Sequence, residues 1–394
     1  MKEVAILGIG RTKWGKYPDK TWDDLAEEAI RKALADANVD WKDIQMIFGG
    51  SEPYSGKYGL AAGSTMHIRM GTHGIPAVNS YNACATGGYA LKNAQVYIAS
   101  GFCDLVLCFA SGISPKGFFV PSQIREFDQT DLDTQRFRVL GQTNPTNFAF
   151  KAMRRMHLYG MTEDDLAEIK VKNSRHGASN PYARYQKVYT KEEVLSSAYV
   201  AYPLRLFEVC ATSDGAAAMV LCSLEKAKQF TTKPVRLLSV GVANPDYNDP
   251  IASHGGFAHN LGNFQGDVVE SRTAKVAYKE AGVGPEDLSF AEVYDLTSNL
   301  ELDFYEYIGI CKPGEAEKLL HDGVTTIDGR MPINPSGGCG ASGESSPAQA
   351  LYQACELVTQ MRGQGGPSQV KGAKLGLGIQ RGLLDNSSCI IIKK

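Results

Sequence analysis

Asp36-Ala37-Asn38-Val39-Asp40-Trp41-Lys42-Asp43-Ile44 reads as the close of a helix leading into a strand. The pattern returns 244 positions later, where Glu280-Ala281-Gly282-Val283 is followed by Asp287-Leu288 at the same internal spacing. A second match pairs Ala90-Leu91-Lys92-Asn93-Ala94 with Ala350-Leu351-Tyr352-Gln353-Ala354 at an offset of 260, so the two offsets differ by an insertion of 16 residues. Each match is short. Occurring together and in order, they predict two similar α/β halves.

The flanks fit that reading. Val4-Ala5-Ile6-Leu7-Gly8-Ile9-Gly10 is a short apolar strand ending in glycine. A helix is expected from about Thr21 to Ala37, with Thr21 as N-cap and Asp23 and Asp24 in the first turn, where acids favour the helix dipole. Gln45 to Phe48 reads as the next strand, and strands then alternate with helices, which points to α/β architecture. A chain of 394 residues suggests two domains or one duplicated fold. The expected organisation is an N-terminal half over 1–112 and 214–234, an insertion over 113–213, and a C-terminal half over 235–394. The insertion is polar and reads as irregular, with Arg, Lys, Asn and Tyr in residues 128–138, 151–155 and 173–185. Its two readings are a lid, binding loop or dimer contact on a rigid scaffold, and a solvated surface excursion.

Hydrophobic content of 43% against 21% charged fits a globular protein with a sizeable core. A net charge of −2 argues against a nucleic-acid partner or an anionic membrane surface. No long uncharged apolar run is present, so no membrane span is expected, and the start of the chain carries no secretory pattern. Nine cysteines occur with no Cys-x-x-Cys pair, so neither a disulfide framework nor a metal site is expected, and reduced thiols in the cytoplasm are the simplest reading.

Ser80-Tyr81-Asn82-Ala83-Cys84-Ala85-Thr86-Gly87-Gly88 precedes a helical pattern over about Thr86 to Ser100. Small residues in the turn allow close backbone approach to a ligand. A cysteine at a helix start has its thiolate favoured by the dipole, and the free amides there suit a developing oxyanion. The competing reading is a small buried packing residue. At the offset of 260, Cys84 falls opposite Glu344, which would bring a thiol and a carboxyl to one cleft.

The Cys84 segment resembles the nucleophile motif of thiolases: cysteine, a small residue, Ser or Thr, then Gly. Thr212-Ser213-Asp214-Gly215-Ala216-Ala217-Ala218 resembles the family's Asp-Gly-Ala-Ala strand, and Asn334-Pro335-Ser336-Gly337-Gly338 its Asn-x-x-Gly-Gly block. Tyr159 to Leu166 and Lys172 to Ala183 are similar to archaeal and sterol-carrier-protein-type thiolases. The resemblance spans nearly the whole chain. It implies a thiolase fold of two five-layered α/β halves with an inserted loop domain, at least a homodimer, acyl-CoA and CoA as substrates, and no permanently bound cofactor. It also implies a cysteine thiolate that takes an acyl group from a β-ketoacyl-CoA, with CoA resolving the acyl-enzyme.

Three blocks depart from the family pattern. Gly343-Glu344-Ser345 stands where the family has Gly-His-Pro, so glutamate replaces the histidine that activates the nucleophile. Glu292-Val293-Tyr294-Asp295-Leu296-Thr297 matches a His-Asp-Cys-Phe block, with tyrosine replacing its histidine. Gly378-Ile379-Gln380-Arg381-Gly382 lacks the cysteine or imidazole of the C-terminal motif. An ionised carboxylate raises a neighbouring thiol's pKa where an imidazolium lowers it, so Glu344 needs a raised pKa of its own to act as base. Tyr294 is the expected donor to a thioester oxygen, and backbone amides near Cys84 and Gly382 the expected oxyanion donors. Cys339 is a further acid–base candidate, with packing as its competing reading.

Three functions are compatible. The first is thiolysis through acyl-Cys84 of an unusual branched or aromatic β-ketoacyl-CoA, such as 2-benzoylsuccinyl-CoA, by a subunit working with a small zinc-ribbon/OB-fold protein. The second is a retro-aldol lyase of the steroid side-chain type, with no acyl-enzyme. The third is a non-catalytic acyl-CoA-binding subunit.

Overall fold

β1 (Val4–Arg11) alternates its side chains between two cores: Val4 and Ile6 enter one, Ala5 and Leu7 the other. Period-2 alternation with apolar residues on both sides marks a strand covered on both faces. The computed structural model describes residues 2–114, 144–231, 234–246, 267–382 and 385–394. Residues 128–138 of the polar insertion therefore lie outside the described residues.

The sheet has nine strands. They are β1, β2 (Met46–Gly50), β3 (Ala77–Ser80), β4 (Leu105–Gly112), β5 (Gly215–Ser223), β6 (Val235–Ala243), β7 (Phe290–Glu292), β8 (Leu375–Arg381) and β9 (Ser387–Lys393). Their order, β3-β2-β4-β5-β1-β6-β9-β8-β7, is symmetric about the β1/β6 pair. In the N-terminal half β3, β2 and β4 run parallel, β4 meets β5 antiparallel, and β5 meets β1 antiparallel. The C-terminal half repeats this: β7 is parallel to β8, β8 antiparallel to β9, and β9 antiparallel to β6. A single parallel bridge, Ala291 to Ile333, stands where β3 would have its counterpart.

The helices build the layers. α1 (Trp22–Ala37) covers β1, β4 and β5 with α2 (Ala62–Met70) beside it, and α3 (Thr86–Ala99) lies on the other face of that half. α4 (Asn144–Tyr159) and α5 (Glu163–Gly177) belong to the insertion. α6 (Val269–Ala281) covers β6 and β9, and α7 (Ser298–Tyr307), α8 (Gly338–Ser342) and α9 (Gln349–Arg362) follow. α3 and α9 pack together between the two half-sheets, sharing one core with Val106 and Met219 on one side and Leu237, Ile390 and Ile392 on the other. The order of layers is thus helix, half-sheet, helix pair, half-sheet, helix. Thr21 caps α1 with a reciprocal box: the Asp24 amide donates to Thr21 Oγ1, and the Thr21 amide to Asp24 Oδ2 at 2.7 Å.

The first sequence repeat holds to the residue. Asn38 and Gly282, both left-handed, close α1 and α6. Short 3₁₀ turns at Trp41–Asp43 and Pro285–Asp287 follow, then β2 and β7. The second repeat needs a correction. The 3₁₀ turn Ala83–Ala85 with α3 is matched in length and order by Ser346–Ala348 with α9, an offset of 263 rather than 260. The counterpart of Cys84 is therefore Pro347, and Glu344 stands opposite Tyr81. A slip of three residues is nearly one helical turn, so alanines and leucines on the same face still align.

The insertion is also more regular than its composition suggests. α5 is buried along most of its length, including Lys170, Lys172, Asn173 and His176. Lys172 Nζ pairs with Glu301 at 2.7 Å, and Asn173 Nδ2 donates to Asp295 and Glu301. Polar side chains that read as surface are internal because each has a partner.

Candidate active site

β3 delivers the chain to Cys84. After Ser80 the backbone turns, and Ala83 takes a left-handed φ of 49°, a strained setting for a residue with a Cβ. The Asn82 amide donates to Thr86 Oγ1 at 2.8 Å, fastening this turn to the first residue of α3. The glycines that follow serve packing rather than ligand approach. A Cβ on Gly87 would lie 2.9 Å from Leu351 Cγ of α9, and one on Gly88 would run into Ser388 of β9. The two central helices can meet at their first turns because Gly87 lacks a side chain, and α3 can lie against β9 because Gly88 does.

Glu344 arrives from the other half. Its backbone is pinned on both sides, with its amide donating to Ala211 O at 2.8 Å and its carbonyl accepting from the Ser213 amide at 2.7 Å. Its side chain is 1% exposed. Tyr294, just beyond β7, is 3% exposed, with its ring edge-on to Phe304 at 6.5 Å. The phenol donates to Glu344 Oε1 at 2.9 Å and stands 3.5 Å from Cys84 Sγ. A phenol has one proton to give, and the shorter contact takes it. Ser346 Oγ lies 3.4 Å from the same sulfur. Glu344 Oε2 accepts no hydrogen bond among the described residues, which leaves it open to receive a proton.

The electrostatics set the resting state. Burial, then the neighbouring Glu344 carboxylate, raise the Cys84 thiol well above its ordinary value, against the pull of Ser346 and Tyr294. Burial pushes Glu344 up to about 7, while its contacts with Cys84 and Tyr294 hold it down and Asp295 adds to the rise. Burial and the charges of Cys84 and Glu344 keep the Tyr294 phenol protonated. The resting cluster is a neutral thiol, a neutral phenol and a carboxyl that titrates near neutrality. That is the condition for a base that takes the thiol proton as the sulfur attacks, not beforehand.

A second ring of residues holds Tyr294 and Glu344. Asp295 accepts from the amides of Cys339 at 2.6 Å and Gly340 at 3.0 Å. Asn334, at a left-handed φ of 53°, accepts from the Val293 amide at 2.8 Å and donates to Glu301. The Asn-x-x-Gly-Gly block thus clamps the tyrosine loop through Asn334. Gly338 abuts Asp295 so closely that a Cβ there would meet the carboxylate.

Cys339 lies 1% exposed beside this clamp, its thiol raised by burial, Asp295, Cys210, Glu344 and Cys84. Cys210, which sequence reading passed over, joins the same group. Gly382 differs from expectation. Its amide donates to Asn386 O at 2.7 Å and so is not free to meet an oxyanion. Its lack of a side chain instead lets the end of β8 lie against Asn82 O, two residues before the cysteine. Ser346 was not singled out in the sequence, and Asn173 only as part of a family-like block, because both make their contacts with distant segments. No group of three or more His, Cys, Asp or Glu suited to a metal ion occurs among the described residues, and no described helix is long and apolar enough to cross a membrane.

Comparison with known proteins identifies the family. Residues 4–225 match the thiolase N-terminal domain, and residues 266–394 match the thiolase C-terminal domain-like family. The chain is 33% identical over 389 residues to an acetyl-CoA acetyltransferase of Methanothermobacter thermautotrophicus, covering 96% of this chain and 95% of that one. It is 34% identical over 370 residues to the benzoylsuccinyl-CoA thiolase subunit BbsB of Thauera aromatica, covering 92% and 90%. Among solved structures the Ltp2-ChsH2(DUF35) aldolase has the same fold, with a TM-score of 0.81 at 24% identity over 99% of this chain and 97% of that one. With both halves matched and a cysteine placed between them, the chain belongs to the thiolase family of acyltransferases.

Proposed function

We propose that this thiolase cleaves a β-ketoacyl-CoA by thiolysis, with Cys84 as nucleophile, Glu344 as its base and Tyr294 as hydrogen-bond donor. The observation that carries the reading is the Tyr294 phenol standing within hydrogen-bonding distance of both Cys84 Sγ and Glu344 Oε1, with Glu344 Oε2 open. Sulfur attacks the ketone carbon as its proton passes to Glu344. The negative charge on the carbonyl oxygen falls to the backbone amide of Cys84 at the head of α3. Tyr294, whose phenol stays protonated, offers its proton to the thioester oxygen of the departing enolate once Glu344 is neutral and holds it less strongly.

The proposed substrate carries a branched or aromatic acyl group such as that of 2-benzoylsuccinyl-CoA. Support comes from the glutamate and tyrosine that replace two histidines and from the 34% identity to the BbsB subunit. The proposed assembly is a homodimer or higher with a small zinc-ribbon/OB-fold second subunit. BbsB is itself named a subunit, and here β3 ends the sheet beside exposed Tyr54, Tyr58, Leu60 and Ile68.

Intact-protein mass spectrometry after mixing with 2-benzoylsuccinyl-CoA or acetoacetyl-CoA tests the chemistry. The expected result is an acyl adduct on Cys84 that disappears in Cys84→Ser. Full carbon–carbon cleavage by Cys84→Ala would overturn it. That outcome selects the retro-aldol lyase, for which one observation speaks: the Tyr294–Glu344 pair is itself competent to deprotonate a β-hydroxyl without the thiol.

A further inference from the structure

Beyond Gly50 the chain leaves β2 and turns across the end of the sheet. Ser51 Oγ donates to Ser111 O at 2.7 Å, and the Glu52 carbonyl accepts from the Ser55 amide at 3.0 Å. Glu52 is thereby fixed at the carboxyl edge of the parallel strands β2, β3 and β4. Cys84 rises from this same edge, the side of an open α/β sheet where ligands bind. The Glu52 side chain is 1% exposed, yet neither carboxylate oxygen has a hydrogen-bond partner among the described residues.

Its surroundings belong to the site. A Cβ on Gly112 would lie 2.5 Å from Glu52 Oε1 and 2.7 Å from Pro347 Cγ, so carboxyl and proline both pack against Gly112 at the end of β4. Pro347 follows Ser346, whose hydroxyl touches the Cys84 sulfur. Tyr81 lies near both: burial, then Cys84, then Glu52 raise its phenol. Burial, then the charges of Glu344 and Asp214, push Glu52 up to about 8, against Lys16 and the Ile113 amide, so it rests protonated. A buried carboxyl whose oxygens make no geometric hydrogen bond among the described residues, with only Lys16 and the Ile113 amide near enough to favour its charge, is costly and contributes nothing to packing that an apolar side chain would not. Groups in this condition concentrate at sites of proton transfer.

The reaction has an open position for such a group. Glu344 is occupied with the Cys84 proton, and the C-terminal block that stands where the family carries its second cysteine offers no acid. Of Gly378-Ile379-Gln380-Arg381-Gly382 only Arg381 is charged, and it is paired with Glu270 at 3.0 Å. We propose that Glu52 is a second catalytic acid–base: it protonates the carbanion released by carbon–carbon cleavage and then takes the proton of the incoming CoA thiol. This rests on the thiolytic reading above. The steps balance. Cleavage leaves an electron pair on the α-carbon, which bonds the Glu52 proton. The Glu52 carboxylate then accepts the CoA S–H proton while CoA sulfur attacks the acyl-Cys84 carbon. The bond to Cys84 Sγ breaks, and Glu344 returns its proton to the cysteine.

The test is α-hydrogen exchange in D₂O, followed by mass spectrometry on acetyl-CoA, propionyl-CoA and succinyl-CoA, for the wild-type enzyme and Glu52→Gln. The expected result is exchange by the wild type that falls about 100-fold or more in Glu52→Gln. Cys84 should alkylate with iodoacetamide at its wild-type rate in that variant, which shows the cysteine site intact. Glu52→Asp, which keeps an acid on a shorter arm, should recover part of the exchange, and it carries the comparison if the amide variant does not fold. Exchange by Glu52→Gln within a few-fold of wild type overturns the proposal, as does a wild type with no exchange on any of the three thioesters. A wild type that exchanges but never forms an adduct on Cys84 counts against the thiolytic reading while leaving the Glu52 comparison decisive.

Discussion

At the residue scale the proposed mechanism sets a thiol to work beside a carboxyl, and its pH behaviour follows from that pairing. Glu344 must be ionised to accept the thiol proton, so kcat/KM should rise with pH through about 7. Cys84 itself should alkylate slowly at neutral pH, with a rate still climbing past pH 9, because burial and Glu344 both disfavour its thiolate. A low, flat alkylation pKa would show that some cation reaches the sulfur. Both Glu344 and Glu52 have folded-state pKa values above the 4.5 of a free glutamate. The folded chain therefore holds more protons than the unfolded one between about 4.5 and 8, and stability falls as pH rises through that window. Glu344→Gln should abolish most activity yet raise stability at pH 8 by on the order of 1–3 kcal/mol, with the gain vanishing near pH 4. Denaturant melts at the two pH values check the sign. That Cys84, Glu344 and Tyr294 come together was legible in the sequence because each replaces or keeps a residue at a motif position. The buried position of the proposed Glu52 was not, because burial without a geometric hydrogen bond exists only once the chain is folded. The amide of Gly382 was misassigned because it donates to the carbonyl of Asn386, a contact that no motif announces.

At the scale of elements, contact between α3 and α9 decides how the cysteine sits. Gly88→Val should destabilise the protein by about 2–4 kcal/mol through collision with Ser388, and should lower kcat through the displaced helix start. Gly88→Ala with Ser388→Gly should recover part of both losses. The insertion depends on a different device. Arg155 of α4 is 3% exposed and reaches Asp303 at 3.0 Å, Glu306 at 2.6 Å and Glu317 at 2.6 Å. Arg155→Met leaves those carboxylates without their cation and should cost about 3–5 kcal/mol, measured by thermal or denaturant unfolding. The strands and the capped helix α1 were readable because period and cap chemistry are local. Helix α5 was hidden because Lys172 and Asn173, which look like surface, are satisfied by Glu301 and Asp295 from more than a hundred positions away.

At the scale of the molecule, the two halves share one central core, and the β1/β6 pair joins their sheets. They should unfold together despite being repeats. All three tryptophans, Trp14, Trp22 and Trp41, lie in the first half. Tryptophan fluorescence and far-ultraviolet circular dichroism should therefore give coincident unfolding curves, and a fluorescence transition displaced from the dichroism would show separate halves. The repeat was legible where both copies keep the same punctuation, as at Asn38 and Gly282. It slipped by three residues where they have diverged, along α3 and α9. That divergence has a consequence for descent. The first half contributes the sulfur and the second the carboxyl and the phenol, at positions that are no longer equivalent, Cys84 facing Pro347 and Glu344 facing Tyr81. Neither copy inherits a working centre by itself, so each became the other's selective environment. A substitution along the seam in one half is tolerated or purged according to what the opposite half already carries.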